Sequence, residues 1–129
     1  IPQHRVLVRS KIAQRMFGTD EVLVAAKQLL ELDGIELAED LDQVTYVHFL
    51  FDDHQVVWSN RAQTESLFTG PEALKRVGPA ARDEILAIFP ELGAPETAAI
   101  RVPVRPLVHG RQARRMASRH VVNGKHLVN

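Results

Sequence analysis

Residues 1–8 read IPQHRVLV, and they predict a β-strand over Arg5–Arg9 with a histidine, His4, at its entrance. A longer run, VTYVHFLFDDHQVVWSN over residues 44–60, predicts a β-hairpin. In this hairpin, 44–51 and 54–59 are expected to be antiparallel neighbours, because their side chains alternate between two faces. The pair Asp52-Asp53 is expected to form the turn. Further strands are predicted at 22–24 and 62–68.

Short helices are predicted after the first strand and beyond residue 70. Ser10 is a suitable N-cap for a helix over 11–17. Later helices are predicted over 71–77, 79–89 and 110–120, with an extended proline-rich connector at 93–106. Within 79–89, Ile85, Ile88 and Phe89 are expected to face inward. Because the strands precede most of the helices, we expect a mainly β fold with appended helices, divided into a core at 1–70 and an extension at 71–129.

The composition excludes several classes of protein. The chain of 129 residues contains no cysteine, so it can form neither disulfides nor thiolate metal sites, and it offers no cysteine nucleophile of its own. No apolar run is long enough to predict a membrane span. The sequence leaves the localisation and the oligomeric state open.

Charge is divided unevenly along the chain. All 16 acidic residues lie in positions 1–100, beside 9 Lys and Arg, whereas positions 101–129 carry 7 Lys and Arg and no acid. The two parts therefore carry −7 and +7. We expect the basic tail to fold onto the acidic body, with an ion pair from at least one of Arg111, Arg114, Arg115 and Arg119. The tail lacks aromatic residues for base stacking, so no nucleic-acid partner is predicted.

Six histidines are the main candidates for chemistry: His4, His48, His54, His109, His120 and His126. No two are spaced as helical metal ligands, so no metal site is predicted, although a small histidine-dependent metal or hydrolase domain remains an alternative. No serine lies in a nucleophile elbow. No phosphate loop or dinucleotide fingerprint is present, so no cofactor is predicted.

The strand-entry element at 1–8 resembles the T/S-x-x-H motif of the Hedgehog/intein (Hint) autoprocessing family. The run from Tyr46 through His54 to Asn60, with the strand after it, is similar to that family's late strand pair. Stretches at 69–74, 88–92 and 114–120 resemble bacterial members found at the ends of large, often secreted proteobacterial proteins. The resemblance implies a partial Hint fold with a horseshoe-like β architecture.

The resemblance also implies a self-cleavage reaction, an N-to-S or N-to-O acyl shift. In this family a nucleophile at the first residue of the domain attacks the preceding carbonyl, so the partner is the chain's own N-terminal parent segment. His4 takes the role of the motif histidine, which polarises the scissile amide and protonates the departing nitrogen. His54 and His48 are the other candidate catalytic residues, and His54 is expected to lie near His4.

The sequence departs from the family pattern at several positions. Ile1 occupies the hydroxyl position of the motif, Val47 the usual aspartate position and Arg61 a glycine position. Glu65-Ser66 replaces the His-Asn end of a splicing intein, which favours N-terminal cleavage over splicing. We expect a C-terminal part of the domain without its nucleophile segment, inactive alone. The alternative is a non-enzymatic interaction module, with a degenerate Hint core and a basic tail.

Overall fold

A computed structural model describes residues 4–70, 73–94 and 101–128, and these form a five-stranded sheet with four α-helices. The strands are β1 (Arg5–Arg9), β2 (Glu21–Ala25), β3 (Val56–Ser59), β4 (Ala62–Glu65) and β5 (Leu107–Val108). The helices are α1 (Lys11–Phe17), α2 (Ala73–Arg76), α3 (Pro79–Ile88) and α4 (Gly110–Val122). Two 3₁₀ turns lie at Ala26–Gln28 and Pro90–Gly93.

The sheet is mixed, with the strand order β3-β4-β1-β2-β5. β1 is central and pairs antiparallel with both β2 and β4, and Val6 lies opposite Val24 on one side and Thr64 on the other. β5 pairs parallel with β2. The predicted mainly β fold with appended helices is confirmed.

One face of β1 and β2 forms the core. Val8, Val22 and Val24 are fully buried there, with Ala13 of α1 and Met116 of α4 in the same cluster. These valines alternate along their strands, so this face is apolar and covered by the two helices. Burying each such side chain stabilises the fold by about 1.5–3 kcal/mol.

Helix α1 begins and ends where its sequence predicts. The Ser10 hydroxyl accepts a hydrogen bond from the Ala13 N–H at 3.1 Å, which satisfies one of the free amides of the first turn. Gly18 ends the helix in the left-handed conformation, with φ of 75°, and donates its N–H to the Gln14 carbonyl.

The predicted hairpin of 44–51 with 54–59 is wrong. Residues 44–51 form no strand, and the hairpin instead joins β3 to β4, with Trp58 opposite Gln63. Its turn is Asn60-Arg61, and both residues have positive φ, 47° and 69°. Such a two-residue turn matches the twist of the flanking strands, so it determines which segments pair. The alternation over 44–51 predicted a strand, but the side chains of this run are mostly exposed and no strand forms there.

The chain forms two compact units. The first contains the sheet, α1 and α4, and comprises the described parts of Ile1–Val47 and Arg105–Asn129 together with Val56–Glu65. The second comprises His48–Gln55 and the described part of Ser66–Val104 and contains α2 and α3. The division at residue 70 stays a prediction.

In the second unit, Leu92 is buried, whereas Ile88 is 65% exposed. The prediction that Ile88 faces inward is therefore wrong. Ile85 and Phe89 are half-buried. The predictions at Ile1, at the start of the 71–77 helix and over residues 95–100 of the connector fall on residues outside the described ranges. Within those ranges, no helix combines the length and hydrophobicity needed to cross a membrane.

Candidate functional site

The entrance of β1 carries a hydrogen-bonded chain that begins at His4. Its ring Nε2 contacts the Thr64 hydroxyl, and that hydroxyl donates to the backbone carbonyl of Arg5 at 2.7 Å. A carbonyl can only accept, so the single hydroxyl proton of Thr64 points at Arg5 and the Thr64 oxygen accepts from His4. The proton of the neutral ring is therefore on Nε2.

Strand pairing creates this contact. Val6 lies opposite Thr64 across the β1–β4 pair, so His4, two residues before Val6, shares a sheet face with Thr64. Thr64 is 7% exposed, whereas His4 is half-buried. A buried threonine thus holds the orientation of a partly accessible histidine at the strand entrance.

An ion pair between Arg5 and Glu65 holds the neighbouring position of the β1–β4 pair. Both carboxylate oxygens of Glu65 accept from Arg5 Nη1, at 3.1 and 3.2 Å, and Oε1 also accepts from the Arg5 backbone N–H at 3.0 Å. The Glu65 side chain is only 6% exposed. Removing one partner of such a buried pair leaves an uncompensated charge, so this contact fixes the position of β4 beside His4.

His54 belongs to the second unit and is also held firmly. Its Nδ1 accepts from the Val104 N–H at 3.0 Å, which places the proton of the neutral ring on Nε2. Its ring lies 4.9 Å from that of Phe68, centroid to centroid, and the residue is 7% exposed. His54 is therefore a packed, oriented histidine of this unit.

His48 also belongs to the second unit and is exposed. His4 belongs to the first unit, so the three predicted catalytic histidines are divided between the two. The expected closeness of His4 and His54, and the catalytic roles of all three, stay predictions.

A second histidine–hydroxyl pair lies in the first unit, fully buried. His120 Nδ1 is 2.8 Å from the Met116 carbonyl, so it donates there, and Nε2 therefore accepts from the Ser10 hydroxyl, also at 2.8 Å. His120 is 0% exposed and Ser10 3% exposed. Since Ser10 also caps α1, this pair joins the first turn of α1 to the last turns of α4.

Sequence reasoning missed Thr64, Glu65 and the Ser10–His120 pair as partners. Ser10 was identified as a cap, but its partner lies 110 residues away in sequence. At the β3–β4 hairpin, the sequence shows only that a threonine and a glutamate lie in a predicted strand. Their residue types do not specify which residues they would contact.

The basic tail contacts the acidic body through residues other than those expected. Arg105 and Arg9 both pair with Glu21, and Ser118 donates to Glu31 at 3.0 Å. The hydrogen bond from Arg105, followed by that from Arg9, lowers the pKa of Glu21. The contact between tail and body is confirmed.

The choice of arginines was wrong. Among the described residues none of the four predicted arginines forms an ion pair, and Arg114 instead donates to the amide oxygen of Gln28. Arg105 precedes β5, whose pairing with β2 brings it to Glu21 at the start of β2, and the sequence did not reveal that pairing. Within the described ranges no group of three His, Asp or Glu side chains is arranged to hold a metal ion.

One comparison with known proteins identifies a family. A family model described as "Hint domain" matches residues 1–71, slightly more than half of the chain. The matched region contains β1 to β4 and the His4–Thr64 contact. No curated protein and no solved structure matches the chain significantly.

Proposed function

We propose, because this chain belongs to the Hint domain family, that it supplies the acid-catalytic part of a self-cleaving domain. In the intact parent, the domain would cleave the peptide bond at its N-terminal boundary. The observation that carries the proposal is the half-buried His4, whose ring is oriented by buried Thr64 at the strand entrance.

The proposed reaction is an acyl shift. The sulfur or oxygen of a nucleophile upstream of His4 gives up its proton to solvent and adds to the carbonyl carbon of the preceding residue. The C–N bond then breaks, and the acyl group remains on the nucleophile as a thioester or ester. The amide nitrogen leaves as an amine and takes up one proton, which the imidazolium of His4 supplies.

The proposed role of His4 distinguishes its two ring nitrogens. Nε2–H is donated to Thr64, so the transferred proton is carried by Nδ1 of the charged ring. Thr64 is a positioning residue: it holds the ring while the other nitrogen acts, as the third member of a nucleophile–base–orienting triad does.

The second half of the site favours cleavage over splicing. Glu65 and Ser66 follow Thr64 at the position where a splicing intein ends. The Glu65 carboxylate is bonded to Arg5, and the Ser66 hydroxyl accepts from the Gln55 N–H at 2.9 Å. Neither residue carries a side-chain amide, so the chain would not be released there by amide cyclisation.

The test uses a fusion in which a Hint nucleophile segment precedes Ile1, and it measures release of the N-terminal part with and without dithiothreitol. His4→Ala is expected to slow release by about 10²–10⁴-fold, the usual contribution of a general acid. His126→Ala is the matched control, because His126 is an exposed histidine of the same chain outside the proposed site.

Equal release by wild type and His4→Ala would make His4 merely structural. A reporter fused directly to Ile1 is expected to stay attached, because this chain contains no cysteine and no serine in a nucleophile elbow. Release of that reporter would contradict this expectation. Failure of every fusion to cleave would instead favour the interaction-module hypothesis.

A further inference from the structure

A basic groove lies between α1 and α4 in the first unit. Its volume is about 700 Å³, and it is lined by Lys11, Ile12, Arg15, Arg119, Asn123 and Lys125. Four of the six lining residues are cationic and none is acidic. This volume falls within the range of small-molecule sites, about 300–1,000 Å³.

The four cations have no anionic partner in the described part of the chain. All are exposed, and none forms an ion pair with a described residue. The ion pairs of this unit use other arginines, namely Arg5, Arg9 and Arg105. Lys11 and Arg15 are also an i,i+4 pair of like charge, an arrangement that destabilises a helix slightly. A bound anion would relieve this repulsion.

The walls of the groove are held in place by buried bonds. Lys11 follows Ser10 and Arg119 precedes His120, and Ser10 and His120 are joined by a buried hydrogen bond. The Lys125 N–H donates to the His120 carbonyl at 2.9 Å, which fixes the backbone that carries the fourth cation. The cationic side chains therefore project from a preorganised frame, which lowers the entropic cost of binding.

The lining chemistry favours phosphate groups. Two guanidinium groups offer planar pairs of donors that match phosphate oxygens, and two ammonium groups add point charges. No aromatic side chain lines the groove, so nothing there would stack on a nucleobase. The C-terminal end of α4 contributes about half a negative charge, which four full positive charges outweigh.

We propose that this groove binds a compact anion carrying several phosphate groups, independently of the self-cleavage site. The Hint match at residues 1–71 covers only the α1 side of this groove. Inorganic tripolyphosphate is the probe, because it has the required charge and no base, sugar or acyl chain.

The test is calorimetric titration of the full chain with tripolyphosphate at fixed ionic strength. Wild type is expected to bind one equivalent. The variant Lys11→Gln/Arg15→Gln is expected to bind at least about tenfold more weakly, because two charge-assisted contacts are lost. The control is Arg111→Gln/Arg115→Gln, which removes the same charge from exposed positions of α4 outside the groove lining and should change the affinity less than about twofold.

Three results would overturn the proposal. The first is no saturable binding by wild type. The second is equal weakening in both double variants, which would show general attraction to a basic tail. The third is tighter binding of an oligoglutamate peptide than of tripolyphosphate at matched charge, which would make the partner an acidic protein segment. Thermal unfolding of each variant without ligand confirms that these exposed substitutions leave the fold intact.

Discussion

Replacing Ser10 with alanine removes two contacts at once. The Ala13 N–H loses its cap, and His120 Nε2 loses its hydroxyl partner in a fully buried setting. Loss of an N-cap costs about 0.5–2 kcal/mol, and a buried polar atom left unsatisfied costs about 1–3 kcal/mol. We therefore expect Ser10→Ala to lower the free energy of unfolding of the first unit by about 2–4 kcal/mol.

The assay is urea unfolding followed by circular dichroism, with hydrogen exchange at the Ala13 amide as the local measure. Ser118→Ala is the matched control, because Ser118 lies on α4 and its hydroxyl donates to the exposed carboxylate of Glu31. Ser118→Ala should change the free energy of unfolding by no more than about 0.5 kcal/mol. The double variant Ser10→Ala/His120→Leu should lose less than the sum of the single losses, since it leaves no unpaired imidazole nitrogen buried beside residue 10.

A loss below about 0.5 kcal/mol in Ser10→Ala, or strictly additive losses in the double variant, would refute the reasoning. Either result would mean that the Ser10–His120 hydrogen bond does not join α1 to α4.

Three further predictions concern the sheet. Arg105 and Arg9 lower the pKa of Glu21 from its usual 4.5. Their pairing with Glu21 therefore stabilises the fold above pH 4.5, and this stabilisation is lost as the pH falls through the lowered pKa of the folded state. Glu21→Gln should thus lower the free energy of unfolding by at most about 1 kcal/mol at pH 7 and leave it unchanged in strong acid. Urea unfolding at each pH measures this, and an equal loss at both pH values would contradict the prediction. Arg61→Gly should stabilise the β3–β4 hairpin by about 1 kcal/mol, because Arg61 has a φ of 69°; a lower unfolding midpoint would contradict this. Thr64→Val should slow cleavage of the fusion roughly ten- to a hundredfold with the fold retained, as judged by circular dichroism, whereas an unchanged rate would remove Thr64 from the site.

Local signals predicted much of the first unit. The strands β1 and β2 followed from β-branched residues, and α1 followed from Ser10 and Gly18 at its two ends. These signals are local, because a cap or a short alternating run specifies its own conformation. The His4 entrance position was likewise visible, since the family motif places it immediately before a strand.

Contacts between distant segments were not predictable in the same way. The Thr64–His4 contact depends on the register of β4 on β1, and that register depends on a turn whose residues, Asn60-Arg61, lack the usual glycine. The sequence therefore favoured the more evident turn at Asp52-Asp53. The Arg105–Glu21 pair likewise depends on the two-residue strand β5, which is too short to show a pattern.

Trapping the acyl group is the most direct test of the proposed acyl shift. The fusion carrying a Hint nucleophile segment ahead of Ile1 would be incubated with hydroxylamine, and the released N-terminal part would be analysed by mass spectrometry. An acyl shift predicts a hydroxamate on the last residue before the nucleophile, formed slowly with His4→Ala and normally with His126→Ala. Release of a free carboxylate alone in excess hydroxylamine, at the same rate in both variants, would contradict the claim.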